Sequence, residues 1–180
     1  MFSLFFCSFR AEKRKVTNID ILVDKIIPYP ADHSHRNGFN NEPIIDGLSS
    51  EEKIQVENAL LNKLNEHPQD LLIVEALAYM KSEKSLKRLH GLLEEAKRVQ
   101  AKIIIASCIY EISKEDRMRE IVYEGAKTIT EKYSLIGMLY YMAKMRDTRI
   151  NELIVEHSKS ADYLISYNAK RYLGLFNKVL

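Results

Sequence analysis

Tryptophan is absent from this chain of 180 residues, cysteine occurs twice, proline four times and glycine six times. Each scarcity excludes something. Two cysteines, Cys7 and Cys108, cannot build a disulfide framework, and Cys108 lies inside a helical pattern, so a reducing cytoplasm is the expected setting. Pro28, Pro30 and Pro43 precede residue 50, so only Pro68 interrupts the rest, and helices are expected from there onward. Glycine-rich phosphate loops are missing. Charge of neither sign dominates: 27 basic against 25 acidic residues leave a net charge of +2, with no bulk attraction to nucleic acid or acidic membranes.

Long apolar runs are missing too. The opening MFSLFFCSF is too short to span a bilayer, and its basic residues follow the run, which does not fit a signal peptide. Nor does LFFC carry the small residue usual before a lipidated cysteine. The segment is expected to pack on the domain. A weak membrane-surface contact through Phe2, Leu4, Phe5, Phe6 and Phe9, beside Arg10, Lys13, Arg14 and Lys15, is the other reading.

What is present is helical grammar. Apolar residues make up 46% and charged residues 29%, ordinary for one globular domain. Residues 1–48 read as an irregular N-terminal segment. Within it, 16–27 fits a short helix or a strand, and 28–47 reads as one long loop, a length usual for functional or disordered segments. Ser49 with Glu52 forms a capping box, and Ile54, Val56, Leu60, Leu61 and Leu64 follow at helical spacing. Breaks fall at His67-Pro68 and near Ser82, Lys97, Ser113, Thr130, Asp147 and Ser160, with Ser113 and Asp116 as a second box-like start. Eight helices of about twelve to seventeen residues are expected over 49–180.

Those helices repeat. Residues 76–89, ALAYMKSEKSLKRL, and 108–121, CIYEISKEDRMREI, say nearly the same thing. A small or flexible residue stands four positions before a large apolar one at Ala76/Met80, Cys108/Ile112, Met138/Met142 and Ala169/Leu173, in steps of 32, 30 and 31. A polar turn then leads to Leu86/Leu89, Met118/Ile121 and Ile150/Leu153. A helix-pair period of this length predicts an all-α, right-handed α-solenoid of about four antiparallel helix pairs, in which stacking supplies the core that one pair lacks.

These phrases, with YNAKRYLG near the end, resemble the HEAT and HEAT-like repeat family over roughly residues 49–176. The turn proline and turn Asp-Arg frequent in that family are largely missing, Arg146-Asp147 being the nearest approach, so the subclass stays open between HEAT-like, armadillo-like and a divergent array. The resemblance implies a scaffold or partner-binding protein and carries over no catalytic residue. The apolar C-terminal stretch GLFNKVL is unusual for an end cap.

On a helical wheel Ile73, Ala76, Leu77 and Met80 face the core, so positions 75, 78 and 79 point away. Carried through the repeats, the last two positions are Ala78, Tyr110, Tyr140 and Arg171, and Tyr79, Glu111, Tyr141 and Tyr172; five of these eight are tyrosine. Tyrosine offers rigid contact area with a water-tolerant hydroxyl, which suits interfaces. Glu75, Glu111, Lys144 and Arg171 add mixed charge. Either these residues line a groove that grips a partner, or they pack inside, since Leu71, Ile103, Tyr133 and Leu164 make the same helices apolar nearly all round. On the groove reading, Tyr110→Ala with Tyr140→Ala leaves stability within about 1 to 2 kcal/mol.

Chemistry-bearing motifs are weak. Asp32-His33-Ser34-His35 lacks a partner cluster for a metal, His67, His90 and His157 fall in separate units, Cys108 sits at a core position, and the acidic pairs lie in first or last helical turns. The basic run Lys84, Lys87, Arg88, Lys97, Arg98 and Lys102 is interleaved with Glu83, Glu94 and Glu95. The expected function is therefore a non-enzymatic protein-binding module without cofactor or metal. It could be an inhibitor of immunity type that neutralises one partner, or an adaptor. A small-molecule or pigment-handling enzyme or chaperone, and a nucleic-acid binder, are the alternatives. A deep dry pocket among Tyr110, Tyr140 and Tyr141 would favour the small molecule; a broad groove of mixed polarity would favour a protein.

Overall fold

The structure, a computed structural model, describes residues 18–28 and 40–176, with side chains through Gly174. The readings of the first fifteen residues, of Asp32 to His35, and of the side chains of Leu175, Phe176, Val179 and Leu180 fall outside that description.

Helix α1 (Asn18–Ile26) answers the choice between helix and strand for residues 18–26. Ile19, Leu22, Val23 and Ile26 recur at helical spacing and meet the core, with Val23 and Ile26 fully buried. Part of the expected loop is also helical: α2 (Glu42–Asp46) is one short turn, with Pro43 in its first turn and Asn41 before it. Proline needs no partner for a missing N–H at that point of a helix, which is why it starts this turn rather than breaking it.

From Ser49 the expected breaks recur. Ser49 caps α3 (Ser50–Glu66): the Glu52 N–H donates to its Oγ at 3.3 Å, and its own N–H donates to Glu52 Oε2 at 2.9 Å. After α4 (Leu71–Tyr79), a 3₁₀ turn precedes α5 (Leu86–Glu95), followed by α6 (Val99–Ser113), α7 (Asp116–Lys127), α8 (Lys132–Lys144), α9 (Thr148–Ser158) and α10 (Tyr163–Phe176). Helices α4, α5 and α9, of 9, 10 and 11 residues, fall below the expected twelve. Ser113 does not cap α7. It remains the last residue of α6, its hydroxyl donates to the Ile109 carbonyl at 3.0 Å, and Glu115 takes the cap position. Acidic caps serve later helices: Glu131 for α8, Asp147 for α9, and Asp162, which accepts from the Leu164 N–H at 2.9 Å.

Among the described residues the protein is all-helical. Helix α4 packs on α6, α6 on α8, and α8 on α10, while α3, α5 and α9 each also touch the helix that follows. Helix α6 lies at the centre, and every residue from Ile103 to Tyr110 is buried. Its tightest neighbour is α7, because Gly125 removes a side chain at the crossing. A methyl group there would lie 3.1 Å from Ile103 Cγ1 and 3.3 Å from Val99 Cγ2. Ala76, Cys108, Met138 and Ala169, the four repeat markers, are all buried.

A second recurrence was not expected. Among the described residues three non-glycine residues adopt left-handed φ: Lys81 at 56°, Lys114 at 60° and Arg146 at 49°. They end α4, α6 and α8 in turn. A cation at a helix C-terminus is favoured by the helix dipole, which offsets part of the strain that glycine would avoid there. Ion pairs also link residues about one period apart, including Lys84–Glu57 at 2.7 Å, Arg149–Glu120 at 2.8 Å and Lys132–Asp162 at 2.7 Å. No helix among the described residues is long and apolar enough to cross a membrane.

Candidate functional site

The N-terminal halves of α4, α6 and α8 lie side by side and enclose a groove of about 730 Å³. Helix α4 contributes Leu71, Leu72 and Glu75; α6 contributes Gln100, Ala101 and Ile104, with Arg98 at its start. Helix α8 supplies Tyr133, Ser134, Gly137, Met138 and Tyr141, with Glu131 at its cap. The walls are fixed across helices, since Gln100 Nε2 donates to Ser134 Oγ at 3.1 Å. Glu131 receives the N–H groups of Tyr133 and Ser134 at 3.0 and 2.6 Å, and those bonds hold its carboxyl below the usual range. Tyr133 stands at the rim with 70% of its surface exposed. At Gly137 a methyl group would meet nothing within 4 Å.

Glu75 and Tyr141 also belong to a second, much smaller cavity of about 50 Å³. Asn41 and Glu42 of the α2 turn close it, opposite Tyr79, Cys108, Glu111, Tyr140 and Lys144. Here the charges are organised. Glu111 bonds Lys81 at 2.8 Å and also Lys144. Burial disfavours the Glu111 carboxylate, but those two ammonium groups outweigh it and hold its pKa below the ordinary value. Burial likewise works against the Lys144 ammonium, and Glu111 outweighs it, so Lys144 titrates above an ordinary lysine. Tyr79 donates to Asp46 Oδ2 at 2.8 Å, which pushes its pKa up to about 12. Burial raises the Cys108 thiol well above its usual range, so it packs as a neutral group rather than a nucleophile.

The tyrosines and charged residues expected to line a partner groove separate by burial. Tyr79, Glu111, Tyr140, Tyr141 and Lys144 gather around the small cavity, half-buried rather than free. Tyr172 joins them at one remove, its ring 5.9 Å from Tyr140, which in turn meets Tyr141 edge-on at 5.2 Å. Arg171 is exposed, with its guanidinium 5.8 Å from the Tyr172 ring. Tyr110 corrects the outward assignment: it is only 8% exposed, its ring lies 4.9 Å from the Lys114 ammonium and 4.8 Å from the Arg119 guanidinium, and its hydroxyl accepts from Arg119. Ala78, assigned outward by the same wheel, is 1% exposed. Each second helix is flanked by two others, so its free face is narrower than an isolated wheel implies.

The groove residues Gln100, Ser134 and Gly137 were missed, and so was Asn41. Leu71 and Tyr133 had been noted only for making their helices apolar all round. That surplus of apolar surface was the available signal. Among the described residues no three His, Cys, Asp or Glu side chains are grouped to hold a metal ion.

Compared with known proteins, the chain matches no family model, no curated protein and no solved structure.

Proposed function

We propose that the chain is an α-solenoid of four helix pairs, of HEAT-like kind, and that the groove across α4, α6 and α8 binds a protein partner without catalysing a reaction. The stacking order α4, α6, α8, α10 and the left-handed turns at Lys81, Lys114 and Arg146 support the solenoid.

Gly137 carries the binding reading. A glycine inside a helix costs about 1 kcal/mol relative to alanine. At Gly125 that cost is offset by the close approach of α6, whereas no described side chain or neighbouring helix comes within 4 Å of a methyl group placed at Gly137. A residue without a side chain, in the groove and beside an exposed tyrosine, leaves room for a partner's backbone or ring against α8. The groove walls mix apolar residues with Glu75, Arg98 and Gln100, as protein interfaces do. The small-molecule alternative called for a deep dry pocket among Tyr110, Tyr140 and Tyr141, and the cavity beside Tyr140 and Tyr141 is only about 50 Å³; the 730 Å³ groove has the volume of a ligand site, but its walls carry Glu75, Arg98, Gln100 and Glu131. For nucleic acid, Glu75 and Glu131 interrupt any basic track along the groove. An inhibitor of one partner, of immunity type, and an adaptor would both use such a surface.

The test is capture from the native cell lysate at moderate and high salt, with the unmodified protein and with Gly137→Arg side by side. One stoichiometric protein that survives high salt and is lost with Gly137→Arg supports a dedicated binder. Material retained equally by both proteins, or nucleic acid released by salt, overturns the reading.

A further inference from the structure

Asn41 is buried to more than nine-tenths, with 8% of its surface exposed, and its Nδ2 has no hydrogen-bond partner among the described residues. A buried donor left unsatisfied costs about 1–3 kcal/mol, so such groups call for an explanation. Asn41 lines the 50 Å³ cavity that shares Glu75 and Tyr141 with the groove. A water's share of liquid volume is about 30 Å³, so the space holds one or two waters or the head of one side chain.

The chemistry of the walls selects that head. A carboxylate entering would meet Glu42, Glu75 and Glu111. An ammonium or guanidinium would meet Lys144, which Glu111 keeps firmly protonated, and would offer Asn41 Nδ2 no acceptor. A neutral carboxamide meets both demands: its carbonyl accepts from Asn41 Nδ2, and its N–H donates to a wall carboxylate. The cavity is too small for a main chain to run through, which favours the end of a side chain.

Resting on the partner-binding reading above, we propose that the cavity is a specificity socket for a glutamine or asparagine side chain of the partner segment that lies in the groove. Asn41 then reads a carboxamide much as one amide pairs with another, and Tyr140 and Tyr141 exclude water around it. Replacing Asn41 by leucine removes an orphaned donor without changing much volume, so the fold is expected to survive.

The probe is a random-peptide display library selected on the unmodified protein, with the selected peptides measured on Gly137→Arg and Asn41→Leu. The expected result is a set of peptides lost on Gly137→Arg that share one Gln or Asn. Changing that residue to Glu or Lys should weaken binding at least about tenfold on the unmodified protein and no further on Asn41→Leu. Groove-dependent peptides indifferent to Asn41→Leu, or requiring a charged residue instead, overturn the socket while the groove reading stands. A selection without groove-dependent peptides overturns both.

Discussion

Tyr141 in α8 donates its hydroxyl hydrogen to Glu75 Oε1 in α4 at 2.5 Å, across 66 positions of sequence. The bond joins two helices that each pack on α6. Burial, with Glu75 close by, pushes the Tyr141 hydroxyl pKa far up, so it remains a donor at any ordinary pH. Both residues line the groove and the socket, and the bond fixes the edge that the two share.

Tyr141→Phe keeps the ring and removes the donor. Losing one partner of a hydrogen bond to a charged group costs about 1–3 kcal/mol. The urea midpoint should fall accordingly with an unchanged slope, and a slope change would mean that more than this bond was lost.

Tyr110 separates core from groove. With Tyr110 only 8% exposed and in contact with Lys114 and Arg119, Tyr110→Ala should cost about 3–5 kcal/mol, like other buried aromatic truncations. The burial of Tyr110 therefore argues against truncating Tyr110 and Tyr140 together within about 2 kcal/mol. Thermal unfolding of the two single variants is the check, and Tyr140→Ala should be the milder.

The two glycines should respond with opposite sign. Gly125→Ala forces a methyl group against Ile103 and Val99 and should destabilise by about 1–3 kcal/mol despite alanine's helix propensity. Gly137→Ala meets open space and should stabilise by about 0.5–1 kcal/mol. Partner affinity should nonetheless fall for Gly137→Ala, a split that a purely structural glycine would not show.

Acid should weaken the Glu111 cluster. The folded-state pKa of Glu111 lies below its ordinary value of 4.5, so its contribution is present above that pH and lost as pH falls through the folded pKa. Lys144 is shifted up from 10.5, so its share is present below that value and lost as pH rises past it. The stability difference between the unmodified protein and Glu111→Gln, from urea unfolding across pH, should be widest between those limits and shrink on the acid side. A difference that does not vary with pH would contradict the pairing.

Much of the helical pattern was legible because it is written in local chemistry. Ser49 with Glu52 marks a helix start wherever it lies, and Pro68 ends α3 without reference to neighbours. The four small or flexible positions Ala76, Cys108, Met138 and Ala169 announced their burial through spacing. Tyr110 was not legible, because what covers it is Arg119 from the next helix and a left-handed Lys114. A wheel drawn for one helix contains neither. The Ser113 start failed for a related reason: its hydroxyl turned back to Ile109 and left the cap to Glu115. Asn41 was hidden most completely, since it looked like one polar residue in a polar loop, and only the tertiary fold sets it against Glu75 and Tyr141.

The most direct measurement places a photo-cross-linking residue at Tyr133, on the groove rim, and in a second sample at Val155, exposed on α9 away from the groove. Each protein is illuminated in native lysate, and the cross-linked species are identified by mass spectrometry. Binding through the groove predicts one discrete protein adduct from position 133 and none in common from position 155. The same adduct from both positions, or an adduct from position 155 alone, would contradict the groove as the partner-binding face.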